Sequence, residues 1–326
     1  TITQPITQLF KIRAGVRVTA ADARTTRDEL RKSESDVTLA VHQLYYGMLI
    51  ARQQRKALLA SCDAASQKLK ENENAVHNGT ALDVAAIEAK TMLLSSQQEL
   101  LTEENQIADL DAEMNDLLGL QLNSSLQLAE IDESYIEVRP QDEYVLQALA
   151  GNPEILGAKD QLTKAHAALD AARLDFIPDF GVYARHTYQN GVPFVTHNNE
   201  TYGVQLNWRV FDAGKRRGVK EQRVAQLEQA KQNLLRLQSS VAVEIEKAYR
   251  KVERSKTMIQ VAQQAVALRR EGERLSANQI KAGVALESQH ANAVSATAKA
   301  EADELQAQLA YELAIAELKK VAGQLQ

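Results

Sequence analysis

Asn74-Ala75-Val76-His77-Asn78-Gly79-Thr80-Ala81-Leu82-Asp83 decides the fold, because its pattern returns 204 positions later as Asn278-Gln279-Ile280-Lys281-Ala282-Gly283-Val284-Ala285-Leu286-Glu287. The match extends outward from there without a gap. Val37, Leu39, Val41 and Tyr45 meet Val241, Val243, Ile245 and Tyr249. Leu101 meets Leu305, Ala112-Glu113 meets Ala316-Glu317, and Gly119 meets Gly323. Scattered identities are cheap in Ala-rich helices. An offset that also keeps the glycine breaks in register is not. So long a period is no small solenoid unit, and the chain reads as two copies of a half-molecule.

Each copy is a long helix, a break and a shorter helix. Residues 17–77 contain no proline, and Gly47 is their only glycine. Val37, Val41, Leu44, Met48 and Ala51, then Leu58 and Leu59, fall three and four apart, the helical period. About sixty residues at about 1.5 Å each predict a rod of roughly 90 Å. Asn78 and Gly79 suit the left-handed turn that ends a helix, and Thr80 is expected to cap the next. That second helix is expected from about Leu82 to Leu118. The second copy predicts a helix from Lys215 to Lys281, a break at Gly283 and a helix to Val321. The arms of each antiparallel hairpin are unequal, so the longer arm needs further partners.

Composition agrees with thin helical seams. Of 326 residues 44% are hydrophobic but only 5% aromatic, with 14 Gly and 5 Pro. The net charge of −5 is evenly spread, which argues against a nucleic-acid surface. One cysteine, Cys62, excludes an intrachain disulfide. No apolar run reaches the roughly eighteen residues of a transmembrane helix, and no signal peptide is visible at the start.

Between the hairpins the pattern changes. Around Asn123-Ser124-Ser125, Ile131-Asp132 and Val138-Arg139-Pro140 the helical period is lost, which predicts a linker over 120–151 with a short helix at Glu143–Ala150. Asn152-Pro153 opens a helix to Phe176, with proline in a favoured first-turn position. Phe180, Val182 and Ala184 then alternate with Gly181, Tyr183 and Arg185. Val204, Leu206, Trp208 and Val210 alternate with Gln205, Asn207 and Arg209. Period-two alternation predicts strands with one apolar face. Residues 202–211 have the length of a membrane-spanning strand, about 9–11 residues. A small hairpin lying on a water-soluble core reads equally well from these residues.

The order of motifs resembles the outer-membrane efflux protein family of the TolC type. The resemblance rests on Asn152-Pro153-Glu154-Ile155, Phe176-Ile177-Pro178-Asp179, Trp208-Arg209-Val210-Phe211-Asp212-Ala213-Gly214, and the duplicated breaks after Asn78 and Ala282. It implies a mainly α fold with a small β part: coiled-coil hairpins in two repeats, with strands joining a trimeric β-barrel. Repeat one is then 1–119, a linker 120–151, and repeat two 152–326, with an entry helix 152–176, strands 178–211 and a hairpin 214–323. It further implies a homotrimer in outer-membrane lipid of a Gram-negative bacterium, helices in the periplasm, and a periplasmic adaptor and an inner-membrane transporter as partners. The family's first helix and strand pair are expected to be missing here, with Gln4-Pro5 to Phe10 resembling the end of a strand.

The resemblance places adaptor docking and pore entrance at Gly79, Thr80, Leu82, Asp83, Gly283, Leu286 and Glu287. The lipid-facing strand falls on Val204, Leu206, Trp208 and Val210. Asp83 and Glu287 read either as carboxylates at helix N-termini or as acidic rings at a pore mouth. No catalytic set, cofactor motif or metal spacing stands out. His186 and His197 flank the strand loop and read as an incidental pair. Arg216-Arg217 with Lys220 reads as a solvated or headgroup-facing cluster. The expected function is a passive exit duct for efflux or type I secretion, not an enzyme. The alternative is a soluble coiled-coil scaffold or adaptor-like protein without a pore.

Overall fold

A computed structural model describes residues 1–129, 138–191, 193, 194 and 196–325. Ile131 and Asp132, read as linker, lie outside the described residues. The elements run β1 (Ile2–Pro5), α1 (Gln8–His77), α2 (Asp83–Leu117), α3 (Gln141–Gly151), α4 (Pro153–Leu174), β2 (Asp179–Tyr188), β3 (Asn198–Asn207), α5 (Lys215–Lys281) and α6 (Glu287–Val321). The hairpin arms are unequal, 70 against 35 residues in the first copy and 67 against 35 in the second.

The glycines at the breaks stop the helices by one device. Gly79, Gly119, Gly283 and Gly323 have φ of 69°, 67°, 70° and 75°, a region closed to most side chains. At the first break Gly79 N donates to Val76 O and Thr80 N to Ala75 O. Gly119 N and Leu120 N bond Asp116 O and Asn115 O likewise, and Gly283 N and Val284 N bond Ile280 O and Gln279 O. This paired closure satisfies the last carbonyls of a helix. It also reassigns Thr80. The hydroxyl turns back to Ala75 O at 2.9 Å, and Leu82 begins α2 with no side-chain cap. The turn needs Thr80 beside α1, so it cannot reach the amides of α2.

The chain divides into two compact units. The first contains residues 1–34, 142–243 and 322–324. Here Asn152, buried, caps α4 by accepting from Glu154 N at 2.9 Å and Ile155 N at 3.2 Å, with Pro153 behind it. Ile155, Ala158, Ala167, Leu169 and Ala172 form the buried stripe of α4. Arg24–Asp160, Lys164–Asp22 and Lys32–Glu154 tie the start of α1 to α4. Such exposed pairs add only about 0–1 kcal/mol each, so the apolar stripe carries the packing. Gly323 lies so close to Gly151 that an added Cβ would stand 2.5 Å from its carbonyl oxygen.

The second unit contains residues 35–141, 244–321 and 325–326. Arg52–Asp111 and Arg55–Glu104 join α1 to α2. Asp36–Lys320 joins α1 to α6, and Lys251–Glu317 and Arg270–Glu301 join α5 to α6. The helices therefore follow one another as α2, α1, α6, α5. Met48, Ala51, Ile245, Val252, Ala314 and Leu318 are among its buried side chains. The linker is pinned here: Tyr45 donates to Ala129 O at 2.6 Å, and buried Asn115 donates to Leu122 O and Ser124 O.

Candidate functional site

Two surfaces were expected to matter, and they lie in different units. The first is the sheet, ordered β1-β2-β3 and antiparallel throughout. Val182 faces Val204 and Phe180 faces Leu206 across the ladder. Directly opposite residues share a face, so these four make one apolar surface. The other face carries Tyr183 opposite Gly203. A Cβ on Gly203 would stand 2.7 Å from the Tyr183 ring, so the glycine leaves the space that ring fills.

β3 ends at Asn207, short of the expected 211. Trp208 and Val210 are exposed but lie beyond the ladder. The reason lies in the partner. Asp179, opposite Asn207, is the first residue of β2, and Pro178 before it has no N–H to continue the ladder. Val204 and Leu206 are on the strand, 69% and 64% exposed.

Beneath the sheet lies a cluster that local pattern did not disclose. Arg216 is not a solvated residue. It bonds Asp212 Oδ2 through Nε at 2.7 Å and through its backbone N at 3.1 Å. Its other nitrogens reach Arg209 O at 2.6 Å and Asp175 O at 3.3 Å, and its guanidinium lies 5.3 Å from the Phe176 ring centre. Burial alone would push the Asp212 carboxyl up, but the bonds from Arg216 outweigh it and hold it below the ordinary range. Lys11 bridges Asp175 and Asp179 at 3.2 and 3.3 Å. One cation from the start of each long helix thus grips the turn between α4 and β2. Arg217, by contrast, is exposed and pairs along its own helix with Glu221.

The second surface is the pair of helix breaks. Gly79, Thr80, Leu82 and Asp83 are exposed at the first, and Gly283, Leu286 and Glu287 at the second. Asp83 and Glu287 each open their helix, where a carboxylate favours the helix dipole. The bond between hairpins comes from residues the pattern did not single out. Glu71 of α1 accepts from Ser288 N at 2.8 Å and, more closely, from the Ser288 hydroxyl. Ser288 is buried. A carboxylate from the first repeat therefore satisfies an N-terminal amide of α6. Within the hairpins, Asn72 donates to Ala85 O at 2.9 Å, and Ser276 meets His290 Nδ1 at 2.8 Å. His186, also weighed in the sequence, stands 3.9 Å from Glu200 across the ladder.

Two further carboxyls lie inside the second unit. Burial raises both Glu103 and Glu312, the second partly offset by Lys319. Glu103 Oε1 is buried with no hydrogen-bond partner among the described residues.

A duplicated glycine-stopped hairpin joined to long alternating strands defines a class of protein, and comparison with known families agrees. Residues 1–120 and 145–324 match the outer membrane efflux protein family, and the chain belongs to it. Alkaline protease secretion protein AprF of Pseudomonas aeruginosa is 25% identical over 314 residues, covering 93% of this chain. The chain spans 64% of that relative's length. The outer membrane protein VceC of Vibrio cholerae has the same fold, with a TM-score of 0.77 at 17% identity over 98% of this chain and 78% of its own. So has the CmeC outer membrane channel of Campylobacter jejuni, with a TM-score of 0.79 at 16% identity over 99% and 70%. Among the described residues no helix is long and apolar enough to cross a membrane.

Proposed function

We propose that the chain is the wall-forming subunit of a passive outer-membrane exit duct, assembled as a homotrimer. The observation that carries this reading is the sheet. β2 and β3 are 10 residues long, the length a tilted strand needs to span a bilayer. Val204 and Leu206 stand exposed on an edge strand that has one partner. Open apolar edges are an aggregation hazard in water. Closure into a barrel with strands of other copies removes the edges and gives the apolar face to lipid. A soluble scaffold would need this face covered within its own chain, and among the described residues nothing covers Val204 and Leu206.

On this reading the helices extend into the periplasm. Gly79, Thr80, Leu82, Asp83, Gly283, Leu286 and Glu287 form the tips, where a periplasmic adaptor docks and an inner-membrane transporter delivers cargo. The likeness to a protein named for alkaline protease secretion and to an outer membrane channel supports a type I secretion system or a tripartite efflux pump. The one tryptophan supplies a test. Trp208 emission in proteoliposomes should be quenched when brominated acyl chains replace ordinary ones. Unchanged emission would contradict a lipid-facing position.

A further inference from the structure

At the base of the sheet the surface changes character in steps. Phe180, Val182, Val204 and Leu206 give the strands their apolar face. Ile6 N and Thr7 N bond Phe180 O, so the first turn of α1 abuts the base of β2. At this level Leu9, Phe10, Phe176, Ile177, Val210 and Phe211 stand exposed. Cations come next. Lys11, Arg13 and Arg17 precede the first acid of α1, Asp22, and Lys215, Arg216, Arg217 and Lys220 precede the first acid of α5, Glu221. The helix dipole does not explain them, since it favours acids there. α2, α3, α4 and α6 each carry an acid in the first turn, and α1 and α5 carry none.

Lys11 and Arg216 fix the level of these charges, because both hold the turn between α4 and β2. Arg13 and Arg17 lie two and six residues beyond Lys11, and Arg217 and Lys220 one and four beyond Arg216. At about 1.5 Å per residue, all four stand within roughly 10 Å of that turn. On α1, Ala14 and Ala21 mark the packed side. Phe10, Arg13 and Arg17 follow one another three and four apart along an exposed side. Arg217, Lys220 and Val224 do the same on α5, and all three are exposed. Arg13, Arg17 and Lys220 have no ion pair among the described residues, and Arg217 has its open contact with Glu221. The far end of the strands differs. Residues 186–208 hold no Lys or Arg, and on the apolar face His186 stands opposite Glu200, which Tyr202 also bonds. The cations therefore gather at the helix end of the sheet.

An apolar band, then aromatic rings, then cations is the order of a membrane boundary that meets anionic lipid. The headgroup layer adds about 5–7 Å beyond the hydrocarbon core. Arg and Lys reach it by laying their stems along apolar surface. We infer that Arg13, Arg17, Arg217 and Lys220 bind the phosphates of an anionic phospholipid, such as phosphatidylglycerol, in the leaflet on the helix side of the sheet. This rests on the proposed duct reading and names a lipid partner for it.

Spin-labelled lipids test it. The full natural chain is reconstituted in phosphatidylcholine vesicles carrying labelled phosphatidylglycerol or labelled phosphatidylcholine, and the motionally restricted fraction of each is measured. Phosphatidylglycerol should be held several-fold more often, and the preference should fade with salt. A cation near an anionic surface is worth about fivefold. Arg13→Gln, Arg17→Gln, Arg217→Gln and Lys220→Gln together should therefore abolish the preference. Arg13→Lys, Arg17→Lys and Arg217→Lys together should keep it. Equal retention of the two lipids by the native protein, or a preference that survives loss of all four charges, overturns the inference and leaves the duct standing. So does a stronger preference for lipopolysaccharide, whose phosphates lie in the opposite leaflet. A chain that does not insert, with no restricted lipid of either kind, sinks both.

Discussion

The two helix breaks are built on the same backbone and locked by different side chains. Both use a glycine near φ 70° and the same pair of returning hydrogen bonds. After the first, α2 starts at an uncapped, exposed Leu82. After the second, Gln289 reaches back to Leu286 N and Glu71 caps Ser288 from the other repeat. Duplication preserved what the chain geometry requires. The polar locks are free to diverge, because any donor–acceptor pair of the right reach will serve. At the second tip a backbone amide of α6 is thereby capped from the other hairpin, whereas at the first the bond from Asn72 to Ala85 O stays within its own hairpin.

The largest effect should come from breaking the equivalence of Gly119 and Gly323. Both have positive φ, but only Gly323 has a carbonyl where its Cβ would go. Gly119→Ala should cost about 1–2 kcal/mol, the ordinary left-handed penalty. Gly323→Ala adds overpacking and should cost about 2–5 kcal/mol. Denaturant midpoints of the two variants check this, and equal losses would deny the close approach.

Next come the locks. Glu71→Ala leaves the buried Ser288 donors without an acceptor and should cost about 1–3 kcal/mol. Asn72→Ala removes a half-buried bond and should cost about 1 kcal/mol. Hydrogen exchange resolves where. In the native protein Val84 and Ala85 amides should exchange faster than those of Ser288 and Gln289, and Glu71→Ala should erase that difference.

A smaller effect separates the buried carboxyls. Burial raises Glu103, so its ionisation opposes folding: stability falls as pH rises from the ordinary carboxylate range through the raised value. Glu103→Gln should therefore raise Tm at neutral pH and leave it unchanged in acid. Glu312→Gln should act in the same direction, since burial raises that carboxyl too, with Lys319 offsetting part of the effect. The smallest structural effect belongs to Glu287→Gln, which should leave Tm alone and lower cation preference in a bilayer. Unchanged selectivity and conductance would reject an acidic ring at the entrance.

Much of this was readable from spacing alone. The 204-residue offset placed both hairpins and the glycines placed their breaks, but α1 begins at Gln8, so Phe10, read as the end of a strand, lies in the helix, and only Ile2–Pro5 pair with β2. These features are local, set by period and by positive φ. What escaped reading depends on partners far along the chain. Glu71 meets Ser288 across 217 positions, and Lys11 meets Asp179 across 168. Arg216 sat in a basic run indistinguishable from a solvated one, and only the fold shows it enclosed. The end of β3 was overestimated because alternation continues to Val210, while the ladder stops where Pro178 ends its partner.

Single-channel recording of the full natural chain, purified in detergent and added to a planar bilayer, bears most directly on the duct. Discrete, long-lived conductance steps from a trimeric fraction are expected. A water-soluble monomer or dimer that gives no steps would contradict the account and leave the exposed strand face to be covered by something other than lipid.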